Sequence, residues 1–124
     1  MLGAGLALAL LPGCAGPKPE DEAALRAKIR FDLDALNADG LVGGPGSRRA
    51  LDYEFCIPAD EARLAEVRRI DPSVRVMRHS RGRIGCGPGQ WLCLGNTHQP
   101  NARAILLRLA ALPYLERIEQ TVWE

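Results

Sequence analysis

The stretch Leu51-Asp52-Tyr53-Glu54-Phe55-Cys56-Ile57 carries an apolar side chain on every second residue: Leu51, Tyr53, Phe55 and Ile57. A period of two predicts a strand with one buried face, and Pro58 ends it. Downstream, Asp60 is placed to cap a helix that runs to Ile70 with Leu64, Val67 and Ile70 on one side. Asp71-Pro72 terminates that helix, because the residue before a proline avoids the helical region. Residues 74–78 and 91–97 read as a second and a third strand, joined by a glycine-rich hairpin over 82–89. Asn101 then caps a helix with the stripe Ile105, Leu109 and Leu112, which Pro113 stops. A last strand is expected over 117–123, with Ile118 and Val122 on one face.

Upstream, Pro19-Glu20-Asp21-Glu22 places a proline and three acids where a helix begins. Leu25, Ile29, Leu33 and Leu36 continue at helical spacing, and Asn37-Ala38-Asp39-Gly40 supplies a stop, so a helix is expected over 20–40. Residues 41–47, with three glycines and a proline, read as loop. After that leading helix the order is strand, helix, strand, strand, helix, strand. The expected class is therefore α+β, with a ferredoxin-like split βαβ (βαββαβ) domain over 50–124 built on a four-stranded antiparallel sheet. Right-handed crossovers give the spatial order 4-1-3-2, with both later helices on one face and the other left open. The N-terminal helix is the natural cover for that open face, or for a partner.

Residues 1–13 are uncharged and apolar, punctuated by glycine and proline, and end in Leu11-Pro12-Gly13-Cys14. The run is shorter than the roughly 20 apolar residues that span a bilayer. It has the size of a secretory signal core that closes on small residues. The segment resembles the lipobox of bacterial lipoproteins, with Leu11 three positions before the cysteine, Gly13 beside it and Cys14 as acceptor. That resemblance covers residues 1–16. It implies removal of 1–13, acylation of Cys14 and a membrane partner met through the lipid anchor. Ala15, rather than Asp, after the cysteine implies the outer membrane facing the periplasm over the inner one. Each buried methylene contributes about 0.8 kcal/mol, so several acyl chains hold where one dissociates. Residues 14–19 are the lipidated cysteine and a tether; Ala15 to Pro19, with Pro17 and Pro19, extends about 3 Å per residue, roughly 15 Å in all.

The chain has 124 residues, a net charge of +1 and 25% charged residues. What remains after residue 13 suffices for one compact domain. The balanced charge points away from nucleic acid. RNA-recognition domains of this topology also need paired aromatics on the central strands, whereas Tyr53 and Phe55 are committed to the core by their alternation. Neither a serine nor a cysteine has a neighbouring base at a recognisable catalytic spacing, and His98 reads as a polar loop residue. Acylphosphatases share the topology but carry an arginine-bearing anion loop after the first strand, where this chain has an acid-rich turn. No catalytic residue and no cofactor is assigned. A likeness to ferredoxin-like protease prosegments, which also end in a strand, rests on layout alone.

Setting Cys14 aside leaves Cys56, Cys86 and Cys93. In an oxidising compartment their expected use is one disulfide and one stranded thiol. The topology gathers all three near one sheet edge. Cys86–Cys93, which would staple the hairpin, is the most local pairing, and Cys56 is the alternative partner. A thiol- or metal-binding protein using Cys56, Cys86 and Cys93, with His79 as a fourth ligand, is the competing reading. The spacing speaks against a metal, since no two ligands come from one short turn.

Arg75, Arg78, Arg81 and Arg83 crowd the second strand and the hairpin, beside His79 and Trp91. Arg81, Arg83 and Trp91 are the candidate interaction surface, since arginine and tryptophan are enriched at binding hot spots. Such a surface would meet an envelope protein or anionic lipid headgroups, unless Glu20, Asp21 and Glu22 pair with the arginines internally. The expectation is a small envelope binding or structural module without catalysis.

Overall fold

A computed structural model describes residues 19–123, with side chains from Asp21 onward. The cleaved signal expected over 1–13 and the acylated Cys14 lie outside the described residues. So does the expected tether, except that Pro19 already opens the first helix.

Three helices are present among the described residues: α1 (Pro19–Lys28), α2 (Glu61–Ile70) and α3 (Ala102–Ala110). Two short strands, β1 (Leu41–Val42) and β2 (Arg49–Ala50), make a small antiparallel hairpin. The main antiparallel sheet contains β3 (Asp52–Pro58), β4 (Arg75–Met77), β5 (Gln90–Asn96) and β6 (Glu119–Gln120), in the order β4-β5-β3-β6. The class is α+β.

The alternation that defines β3 also divides the molecule into layers. Tyr53, Phe55 and Ile57 lie opposite Gly95, Cys93 and Trp91 of β5, on the face that the helices cover. Phe55, Ile57, Leu64, Val67, Leu106, Leu109, Leu115 and Ile118 are fully buried in that layer. α2 begins as its sequence demands: the Asp60 carboxylate accepts the Ala62 N–H at 2.8 Å. Gly95 leaves room for the Tyr53 ring. A Cβ at that position would stand 2.4 Å from the ring edge, closer than side chains can approach.

Several expectations meet corrections, each with a physical reason. The helix expected over 20–40 stops at Lys28. There the chain turns extended, and Ile29 forms a parallel bridge with Ile118. Its hydrogen bonds, Arg30 N–H to Ile118 O and Ile118 N–H to Lys28 O, are both 2.8 Å. Leu33 and Leu36 are still buried, but from a single 3-10 turn (Leu33–Ala35) rather than an α-helix. Nor does α1 cover the second sheet face. It packs on α3, where Lys28 Nζ donates to the carbonyls of Ala110, Leu112 and Leu115 at 2.8, 3.4 and 2.8 Å. A cation thus sits among the carbonyls at and just past the C-terminal end of α3. At the other end of α3, Arg103 donates to the Leu36 carbonyl. Gly40, at φ +78°, touches the Thr97 carbonyl so closely that no side chain fits.

The expected loop 41–47 contains β1, because the chain doubles back to pair Val42 with Arg49. Asn101 does not cap α3 with its side chain; its φ of 62° is left-handed, and no side-chain cap bond forms. The last strand is two residues long rather than seven. Past the Thr121 N–H, which bonds Asp52 O at 2.8 Å, β3 has no further residue to pair with. Val122 is consequently 55% exposed and does not share the burial of Ile118. Glu22 pairs with Arg26 inside α1, not with the hairpin arginines.

Gly95→Ala is expected to destabilise the fold by about 1–3 kcal/mol, as Tyr53 is pushed from its place. The urea midpoint should fall while the slope of the transition stays constant.

Candidate functional site

The second face of the sheet is covered by irregular chain. Glu54, Cys56, Leu92 and Leu94 point away from the helices, and residues 78–89 fold over them with Ile84 and Cys86 inward. Cys56 and Cys86 form the disulfide, 30 residues apart. The favoured pairing Cys86–Cys93 is thereby corrected in favour of the alternative partner. The reason is parity. Cys93 lies opposite Phe55 and points into the helix layer, whereas Cys56, one residue later, points at the loop. The sheet itself separates Cys93 from Cys86.

Cys93 is a free thiol, fully buried, with its pKa pushed up to about 12 by burial. The ligand set Cys56, Cys86, Cys93 and His79 is accordingly not assembled. Two of its sulfurs are bonded to each other, the third lies behind the sheet, and His79 is exposed. Among the described residues, no group of three His, Cys, Asp or Glu side chains is placed to hold a metal ion. His98 is exposed in the turn after β5, its N–H bonded to Asn96 Oδ1 at 2.8 Å.

The loop is held by more than its disulfide. Glu54 is 3% exposed, and its carboxylate accepts the Ile84 N–H at 2.8 Å and the Thr121 hydroxyl at 3.0 Å. Arg117 donates to the Ile84 carbonyl at 2.8 Å and to Glu119. Within the loop, the Arg81 carbonyl accepts the N–H groups of Gly85 and Cys86. Arg81 Nε in turn donates to the Cys86 carbonyl at 3.0 Å. The Gly89 carbonyl accepts the Ala59 N–H at 2.9 Å, which ties the loop to the start of α2.

Where this loop meets β5 it leaves an open cleft of about 530 Å³. Arg78, His79, Ser80, Arg81, Gln90 and Trp91 line it, and the chain over 86–89 forms one wall. Trp91 is half-buried. The Arg78 guanidinium lies 4.5 Å from its ring centroid and reaches both oxygens of Glu61, at 3.1 and 2.8 Å. Of the three residues expected to form an interaction surface, Arg81 and Trp91 come together here. Arg83 is exposed, has a contact of its own and does not line the cleft. Ser80 and Gln90 were not singled out in the sequence, and no local pattern marks them. Gln90 enters because its side-chain oxygen accepts the Gly87 N–H at 2.8 Å.

Alkylation followed by peptide mapping checks the cysteine assignment. Cys93 should stay unlabelled in the native protein and react on denaturation without reductant; Cys56 and Cys86 should react only after denaturation and reduction. The Cys93 thiol also gives an alkaline limit to stability. Its pKa is about 12 folded against an ordinary 9.0, so the unfolded chain binds fewer protons than the native one above pH 9. The stability from its burial is complete below pH 9 and lost as pH rises towards 12. Denaturant midpoints over that range should fall less steeply for Cys93→Ala than for the parent chain. No protein-family model, curated protein or solved structure matches the chain.

Proposed function

We propose that this chain is a bacterial envelope lipoprotein, anchored through acyl groups on Cys14 at the outer membrane. Its folded part, a ferredoxin-like βαββαβ unit led by a helix, is a non-catalytic binding module. The observation that carries this reading is the Cys56–Cys86 disulfide. A structural disulfide persists in oxidising compartments and is rare in the reducing cytosol. With the cysteines 30 positions apart, loop-closure entropy is worth about 3–4 kcal/mol of stability, and all of it depends on that compartment. The lipobox-like Leu11-Pro12-Gly13-Cys14 agrees with the same address. The ferredoxin-like assignment is supported by the order β4-β5-β3-β6 and by the packing of α2 and α3 in one layer. Binding is supported by the cleft, where arginines and a tryptophan, residue types enriched at binding hot spots, meet.

Intact mass of the protein purified from envelopes tests the reading. The expected species begins at Cys14, carries acyl groups and is two hydrogens lighter than the fully reduced form. A chain retaining Met1, with all thiols reduced and recovered from the cytosol, would overturn it.

A further inference from the structure

The cleft beside Trp91 has a consistent chemistry. Among the described residues, its charged lining residues are Arg78 and Arg81, and no Asp or Glu lines it. Ser80, His79 and Gln90 add hydrogen-bonding groups from two separate segments. Arg81 is held in place: its Nε is spent on the Cys86 carbonyl, and Cys86 is bonded covalently to the sheet. That leaves the two terminal nitrogens of a fixed guanidinium for a ligand. Arg78 is likewise fixed between Trp91 and Glu61. Donors brought from several directions suit the tetrahedral oxygens of a phosphate better than a planar carboxylate.

The surroundings extend the same charge. Glu61, which anchors Arg78, also borders a second groove lined by Leu64, Ala65, Arg68 and Arg69. Arg68, Arg69 and Arg75 are exposed, and none has a salt-bridge partner among the described residues. Met77, 43% exposed, is the residue just before Arg78. An arginine-lined cleft of about 530 Å³, with further exposed arginines on the neighbouring helix and edge strand and one exposed thioether, matches an extended anionic surface more closely than a single acidic side chain.

We propose that this cleft binds the phosphodiester headgroup of an anionic phospholipid, so that the β4 side of the domain rests against the bilayer. The choice of a lipid source rests on the anchored-lipoprotein reading. The site chemistry does not.

The test uses the full chain in micelles of an uncharged detergent, with Trp123→Phe so that Trp91 is the one tryptophan. Three soluble probes are titrated: glycerophosphoglycerol, inorganic phosphate and a hexaglutamate peptide. Trp91 fluorescence should change saturably with glycerophosphoglycerol. Arg81→Gln should weaken that binding about tenfold, the scale of one charge-assisted hydrogen bond. His79→Gln, at an exposed residue outside the loop's own bonds, should weaken it severalfold without affecting the fold. Tighter binding of inorganic phosphate would overturn the lipid assignment, tighter binding of hexaglutamate would replace it with a protein partner, and no saturable change would remove the site. Saturable headgroup binding by a chain whose mass shows no acyl group would refute the anchor and leave the cleft standing.

Discussion

Antiparallel pairing of β3 with β5, in the register that sets Phe55 opposite Cys93, decides what lies on each side of the sheet. A slip of one residue would exchange the two faces, bringing Glu54 and Cys56 into the helix layer and sending Phe55 and Ile57 under the loop. The register is locked chemically as well as by packing. Tyr53 lies over Gly95, and its hydroxyl donates to the fully buried carboxylate of Asp71 at the C-terminal end of α2. That carboxylate also accepts the Ser73 N–H at 3.0 Å, the Ser73 hydroxyl at 2.7 Å and the Gln99 amide at 3.0 Å. Burying a carboxylate is tolerable only when its lone pairs are filled, so every element that supplies a donor is held in position. The same negative neighbour, together with burial, pushes the Tyr53 phenol pKa far above its usual value, burial being the larger cause.

The two edges of the sheet are treated differently. On the β6 side, residues 28–30 close the edge through Ile29 and Ile118, and Lys28 secures that segment on the end of α3. On the β4 side the edge strand is short and carries Arg75 and Met77 outward. Brevity and charge are common means of keeping an exposed edge from pairing with another chain. Here the charge continues onto α2 and into the loop, so the protected edge and the cationic surface are one feature.

A third layer made of loop rather than regular structure needs partners for its backbone. Glu54 supplies one acceptor from the sheet and Arg117 one donor from the approach to β6, both meeting Ile84. The disulfide then fixes the loop at Cys86, the residue whose carbonyl orients Arg81. Stability and the shape of the cleft are therefore coupled, because the same short segment provides both.

Much of this was readable in the chain. The period-two run of β3, the Asp60 cap of α2, the Leu64 and Val67 stripe and the stops at Asp71-Pro72 and Pro113 are local features, and the structure realises each near its expected place. The misreadings share a cause. Leu25, Ile29, Leu33 and Leu36 satisfy a helical period, yet Ile29 gains more from a bridge to Ile118, 89 positions along the chain. Arg81 and Trp91 were recognisable as types, but Ser80 and Gln90 join them only where the loop folds back. By itself, then, the sequence determined which segments alternate or repeat and where they stop, since these depend on residues a few positions apart. Which cysteine meets which, which face the loop covers and what lines the cleft were decided by tertiary structure alone. Those outcomes depend on strand register and on the side to which a long connection folds, and neither is a property of any local stretch.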